Sequence, residues 1–286
     1  ELHAQMVDRL REAGASAIGI AVLFSEPDTR NPASDAALAT DIARQGHVVL
    51  ATAPAQQPDG RIAAAPLLPT LVAPETSAPP RLGHVDVEID VDGQSRYIHL
   101  MAGNGEADTP ALALAVLQQA APDPGWDQLV PMDTLHHAPN RWVRAHEVLL
   151  PRMRGLPTVS FANALQSPQM LDIVRGRAVF VGITASGLGG ELVTPLAVSR
   201  ATLPSVVFHA QAFEALRSQA WIARAPALWP MLLALLVVSS VALVPAWQGR
   251  RLLWVAGLLP LPLLVSAGVL LATRTWLPPA TATLAL

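Results

Sequence analysis

A change of character near Pro226 constrains this chain more than any other feature. Before it run about 225 residues of mixed sequence. After it the chain reads WPMLLALLVVSSVALVPAW, then QGRR, then LLWVAGLLPLPLLVSAGVLLAT. All 22 acidic residues fall at or before Glu214, and Arg250, Arg251 and Arg274 carry the only charges of the final segment. An apolar run of about 20 residues is long enough to cross a bilayer as a helix. Spans are therefore expected over 227–247 and 252–273. The apolar stretch 276–286, roughly 16 Å as a helix, reads as a third span cut off midway. A folded domain over 1–225 hands over directly to the membrane, which suits a tethered sensor or a membrane-bound enzyme.

Composition narrows the choice. The part before Pro226 holds 16 Arg against 22 acids, a formal charge of −6, which argues against a nucleic-acid-binding surface. All 19 cationic residues are Arg, so a Schiff-base lysine and a phosphate-loop lysine are excluded. There is no cysteine, hence no disulfide, thiol nucleophile or Cys-based zinc site. The chain starts at Glu1 without a signal peptide and reads as a segment of a longer protein.

Periodicity predicts an α/β fold, a mixed sheet with flanking helices. Residues 2–13 form an amphipathic helix with Leu2, Met6 and Leu10 on one face. The apolar run Ser16–Phe24 suits a buried strand of a parallel sheet. Ser34 or Asp35 caps a helix running to Gln45, Gly46 ends it, and His47–Ala53 returns as a strand, giving a βαβ unit. Residues 54–82, rich in Pro and Ala, read as loop. Val85, Val87, Ile89 and Val91 alternate with Asp86, Glu88, Asp90 and Asp92, predicting a strand with one apolar and one acidic face. Asp92-Gly93 turns it into a partner strand, Arg96–Met101. Thr109 caps a helix over Ala111–Ala120 with Pro110 in its first turn. Residues 121–157 show little clear structure. Thr158–Phe161 reads as a short strand leading to a brief helix, and Arg177–Ile183 as the best strand of the chain. Thr184–Thr194 is a Gly-rich loop, and Ser205–Gln219 a helix with Val206, Ala210, Phe213 and Leu216 on one face. Trp221, Arg224 and Trp229 lie at the membrane boundary, where Trp is favoured.

No motif announces chemistry. Gly187-Leu188-Gly189-Gly190 lacks the dinucleotide fingerprint, since Leu stands at 192, and lacks the Gly-Lys of a phosphate loop. It reads as a tight turn, with anion binding through backbone N–H groups as the alternative. The acidic strand face offers oxygens in a line, a poor calcium cage, and reads as a solvated face. Ser205 and His209 are one helical turn apart but lack an orienting carboxylate, and Ser186 lacks the glycine two residues before it that a nucleophile elbow needs. His136-His137 has no third ligand in spacing. No cofactor, metal or nucleic-acid partner is expected.

Taken in order, SEPD, NPASDAALA, GHVDVEIDVDGQSR, TPALALAVL, LPTVSFANAL, RGRAVFVGITASGLGGELVTPL and LPSVVFHAQAFEAL resemble the second type of CHASE domain, the cyclase/histidine-kinase-associated sensory extracellular domain. The resemblance covers about residues 1–225. It implies a bacterial receptor in the cytoplasmic membrane, with residues 1–225 outside and a preceding N-terminal span. Its C-terminal spans would lead to a cytoplasmic cyclase, kinase or cyclic-di-nucleotide enzyme. It also implies signalling as a homodimer. Three positions depart from the family's phrases: Ala21 where Asp is common, Gly190 where the loop often has Asp, and Gln211 where the helix often has Asn.

The loop Gln248–Arg251 carries two Arg and should be cytoplasmic by the positive-inside rule, which agrees with an outside domain. The expected function is sensing of a small-molecule or environmental stimulus, with the lipid bilayer as the other partner. The alternative is a non-signalling membrane-anchored binding or assembly module. Open α/β sheets bind ligands at the carboxyl ends of their strands. That nominates Glu26 and Asp28 after the first strand, and Thr184, Ser186 and Thr194 in the Gly-rich loop. Arg96 and His209 complete the set.

Overall fold

In a computed structural model, residues 1–57, 59–71, 80–121, 138, 141–153, 156–197, 202–242, 251–280 and 283 are described. The chain divides into two units, Glu1–Gln219 and Ala220–Leu286.

The first unit opens with α1 (Leu2–Glu12), β1 (Ala17–Ile20), α2 (Pro32–Gln45) and β2 (Val48–Thr52). β1 is wholly buried. It is shorter than the apolar run from which it was expected: it ends at Ile20, opposite Leu50 of β2 and opposite Val181, where β9 (Ala178–Val181) ends. Helix α2 starts at Pro32, with its fixed φ in the first turn, and not at Ser34 or Asp35. Gly46, at φ 73°, closes it in the left-handed conformation that glycine adopts without strain.

Residues 54–64 were expected as loop and instead make a short antiparallel hairpin, β3 (Pro54–Gln56) with β4 (Ile62–Ala64). β5 (Arg81–His84) runs parallel to β2. The expected strand 85–92 does not form among the described residues. Its alternation is real and Val85 packs against the core around Leu112 and Val116, but Val91 is fully exposed at 104% and Ile89 is also exposed, so no core rewards the far end of the apolar face. The turn at Asp92-Gly93 does form: Gly93 sits at φ 79° and donates to the Asp90 carbonyl at 2.8 Å. The returning strand β6 (Tyr97–Asn104) finds other partners. It pairs with β7 (Thr109–Pro110) and with β8 (Trp142–Leu149), which lies in the stretch read as structureless. Thr109 is thus a strand residue, and Ala111 stands at the cap position of α3 (Leu112–Ala120).

α4 (Phe161–Gln166) follows directly on an irregular segment where a short strand was expected. β9 (Ala178–Val181), β10 (Glu191–Val193), β11 (Thr202–Pro204) and α5 (Ser205–Arg217) complete the unit. The central sheet has the order β5-β2-β1-β9, all parallel. Side chains alternate across it. Ile18, Ile20 and Leu50 meet Met6 and Leu10 of α1 and Leu38 and Ile42 of α2. Ala17 and Val49, on the other face, meet Leu112, Ala115 and Val116 of α3. Phe213 of α5 lies 5.5 Å from Phe180, ring centre to ring centre, on that same side. Small residues let α3 approach: a Cβ built on Gly19 would stand 2.6 Å from Val116 Cγ2.

The second unit holds β12 (Ile222–Arg224), α6 (Leu228–Ala242), α7 (Arg251–Leu258), α8 (Leu261–Thr273) and β13 (Thr275–Trp276). β12 and β13 pair in parallel, Ala223 opposite Thr275. The Arg224 guanidinium lies over the Trp276 ring, 5.4 Å from its centre. The run Val255–Thr273, 19 residues of mean hydropathy 2.2, is long and apolar enough to cross a membrane. The expected span 252–273 is divided by a turn at residues 259–260, where Pro260 opens α8. α6, at 15 residues, is about 22 Å long. Trp276, where the expected third span begins, stands in β13, and residues 281, 282 and 284–286 of that span lie outside the described residues. Leucines on these helices, among them Leu235, Leu236, Leu253, Leu264 and Leu271, are exposed.

Candidate functional site

The loops at the carboxyl ends of β1 and β9 leave from neighbouring strands, since Ala21 N–H donates to the Val181 carbonyl at 2.8 Å. Glu26 is exposed on the first loop; Thr184 and Ser186 are exposed on the second. Among the described residues no hydrogen bond or ion pair joins the two. Asp28, also on the first loop, is occupied locally. Its carboxylate accepts from the N–H groups of Arg30 and Asn31 and from the Ser34 hydroxyl, each at 3.0 Å. The Asn31 N–H first, then Ser34 and Arg30, hold this carboxyl below its usual pKa. Asp28 thereby fastens the first turn of α2. Asp28→Ala should lower the melting temperature slightly, with Asp28→Asn milder because one oxygen still accepts. A large loss of ligand response without that stability loss would instead place Asp28 against a ligand.

The other nominated residues lie elsewhere. Arg96 pairs with Asp90 at 3.4 Å and closely with Asp92, clamping the turn at Gly93. Thr194 is buried, its hydroxyl oxygen accepting from Leu196 N–H at 3.3 Å. Ser95 N–H donates to the Val193 carbonyl at 2.8 Å, so the segments bearing Arg96 and Thr194 touch. His209 lies inside α5, buried. The seven residues therefore form an exposed loop group, a clamped turn and a buried helix position, and not one constellation. His136 and His137 lie outside the described residues. Beside the first loop, Leu23, Phe24, Thr52, Pro66, Leu67 and Leu82 line a crevice of about 10 Å³, room for one water molecule.

The densest polar grouping was not foreseen as one. It begins at the carboxyl end of β5 and runs onto β6 and β8. Asp86, which the alternation placed on a solvated face, accepts from Arg144 Nε at 2.6 Å, Arg144 Nη2 at 3.1 Å and Trp142 Nε1 at 2.8 Å. Burial pushes its carboxyl up, but the Arg144 hydrogen bonds and charge outweigh this and hold it below the usual value. Next to it His99 Nε2 stands 3.7 Å from Glu88 and edge-on to Tyr97. Burial first, then the Arg144 charge, lowers His99, against the pull of Glu88 and Asp86. His84 and His209 are buried behind this pair. The sequence signal for the missing half was WVRAHEVL itself: Val143, Ala145 and Val148 are buried, and β8 keeps one register against β6 across His146 (φ 59°), with Ala145 opposite Met101 and Glu147 opposite His99.

A parallel α/β unit followed in the chain by a helical run long and apolar enough to cross a membrane defines an α/β domain with one possible C-terminal span. The family model of the CHASE2 domain matches residues 1–244, and the chain belongs to that family. CHASE2 is a sensory, non-catalytic domain that places the chain among the extracytoplasmic sensors of signalling proteins. No curated protein and no solved structure matches the chain.

Proposed function

We infer that this chain is the input half of a transmembrane receptor. The observation that carries the reading is the succession of a CHASE2 domain and outward-facing apolar helices in one chain. Residues 1–225 stand outside the cytoplasmic membrane. α6 and the run through α7 and α8 cross it inward and back out, and a third crossing after them leads to a cyclase, kinase or cyclic-di-nucleotide enzyme inside. The receptor works as a homodimer. A stimulus that binds one arrangement of the sensor better than the other shifts the population, and the spans carry that shift inward. Glu26, Thr184 and Ser186 are the exposed groups a ligand at the strand ends would meet. Arg96, Thr194 and His209 would act through the shape of the segments they fasten.

Topology tests the reading. The cysteine-free chain takes single reporters cleanly. Ala37→Cys is exposed on α2, unlike its buried neighbour Ser34, and Gln248→Cys probes the arginine loop. In intact cells a membrane-impermeant maleimide should label Ala37→Cys and leave Gln248→Cys unlabelled until lysis. The reverse pattern puts the α/β unit in the cytoplasm and favours an anchored binding or assembly module.

A further inference from the structure

Among the buried polar atoms without a partner in the first unit, two imidazoles have both ring nitrogens unpaired. His84 ends β5 at 1% exposure, and His209 lies inside α5 at 2%. None of their four ring nitrogens has a hydrogen-bond partner among the described residues. The Val85 backbone approaches His209 and the His99 backbone approaches His84, but neither reaches hydrogen-bonding geometry. Buried polar side chains nearly always find partners, so a pair of unpartnered rings calls for a reason.

Neutral imidazole fits such a site; imidazolium does not. A charge buried without a partner is far costlier than a neutral polar group. The groups that reach His84 are Asp86, His99, Arg144 and His209. Of these only Asp86 favours a cation, and its carboxylate is already held by Arg144. The charge that reaches His209 is that of His84. α3, packed beside α5, contributes no charged residue, and Glu214 and Arg217 of α5 are paired with each other at 2.6 Å. A proton arriving at either ring cannot be neutralised in place. It can be accommodated only if water reaches the ring, and for His209, inside α5, that requires α5 to lift.

We propose that His84 and His209 form a proton-operated latch, in which neutral imidazoles let α5 pack against the chain at Val85 and protonation releases it. α5 ends at Arg217, three residues before the second unit begins at Ala220. Whatever frees α5 therefore acts on the chain where it enters that unit. The latch deepens the sensor reading by naming the proton as a regulator, and its effect on any effector rests on that reading.

The sign follows from burial. Desolvation, reinforced for His209 by the His84 charge, pushes His84 down to about 4 and His209 to about 3, from an ordinary 6.5. A folded value below the unfolded one means the closed packing is fully stable above pH 6.5. It weakens as pH falls from 6.5 through the folded values. His3 and His99 are also lowered by burial and titrate in the same direction, so they serve as controls.

The test is hydrogen exchange by mass spectrometry on the full chain in phosphatidylcholine nanodiscs, at pH 7.5 and pH 5.0, corrected for intrinsic rates. Protection over 205–217 should drop about tenfold or more in the wild type, the size expected when a displaced histidine pKa is relieved. His84→Gln and His209→Leu should each reduce that drop, and together remove it, while His3→Gln and His99→Gln keep most of it. An unchanged wild type, or an undiminished drop in the double variant, overturns the latch. Carbon-13 titration of the wild-type imidazoles covers the case of a variant that does not fold: two folded-state midpoints near 6.5 also sink it. In the receptor with its effector, an acid-opened α5 with unchanged output would overturn the sensor coupling and leave the latch standing.

Discussion

Gly83→Val should prevent α3 from docking on the parallel sheet. A Cβ at this position would lie 2.6 Å from Leu112 Cα and 3.1 Å from Leu112 N. Both are backbone atoms at the start of a helix, so no rotamer change relieves the contact. The helix cannot back away cheaply, because Leu112 through Leu117 are all buried. Each of those larger side chains contributes about 1.5–3 kcal/mol by its burial. Ordinary overpacking costs about 1–3 kcal/mol. Two backbones in collision, with Val49 Cγ1 a further 3.2 Å neighbour, should exceed that, at about 3 kcal/mol or more. This is a large share of a domain's usual stability. Even Gly83→Ala should be clearly destabilised, since the first carbon already clashes. Gly257→Ala is the contrast: an added Cβ there meets nothing within 4 Å. Thermal unfolding followed by circular dichroism compares the three. A Gly83→Val protein that melts like wild type would mean that α3 does not approach β5 this closely. Gly83 also precedes His84, so the same variant should loosen the buried histidine pair.

The parallel core was legible because a continuous apolar run has one cheap destination. Ser16–Phe24 and His47–Ala53 were placed as buried strands and Arg177–Ile183 as a strand, and the strands they contain are neighbours in one sheet. Gly46 announced the end of α2 through its conformational freedom, which needs no tertiary context. Long-range pairing was less legible. The alternation over 85–92 satisfies the local rule for a strand, but a strand forms only where a partner and a core are supplied. The partner of β6 is β8, with paired residues 38 to 52 positions apart, and a local pattern cannot name it. The same distance hid the polar cluster. Asp86 looked solvated because Arg144 and Trp142, 58 and 56 residues away, were not yet beside it. His84 drew no attention because nothing in its neighbours in sequence says that its ring is buried and unpartnered. Apolar helices were legible from composition, but the turn at 259–260 within the second apolar run was not, although Pro260 marks it.

Arg144→Ala should be the most damaging change on the β6–β8 side. It leaves the Asp86 carboxylate, whose side chain is 8% exposed, with the Trp142 N–H at 2.8 Å as its remaining side-chain donor. Breaking a buried pair by removing one partner costs about 3–5 kcal/mol. Arg144 is itself 35% exposed along its side chain, so water offsets part of this, and about 2–3 kcal/mol is expected. The pH dependence identifies the cause. In the wild type the folded Asp86 lies below its ordinary pKa, so its stabilisation is present above about pH 3.9 and is lost as pH falls through the folded value. Without Arg144, burial is left to raise the carboxyl. The difference between variant and wild type should therefore be largest near neutrality and shrink as acid protonates the orphaned group. Replacing both partners, Asp86→Leu with Arg144→Met, removes the stranded charge and should recover most of the loss, a coupling that a double-mutant cycle measures directly. If the double variant is as unstable as Arg144→Ala alone, the guanidinium acts through packing of its stem and not through Asp86. Arg144 also lowers His84 while Asp86 raises it. Arg144→Ala should thus move the histidine response to higher pH, and it links the ion pair on the sheet to the acid response of α5.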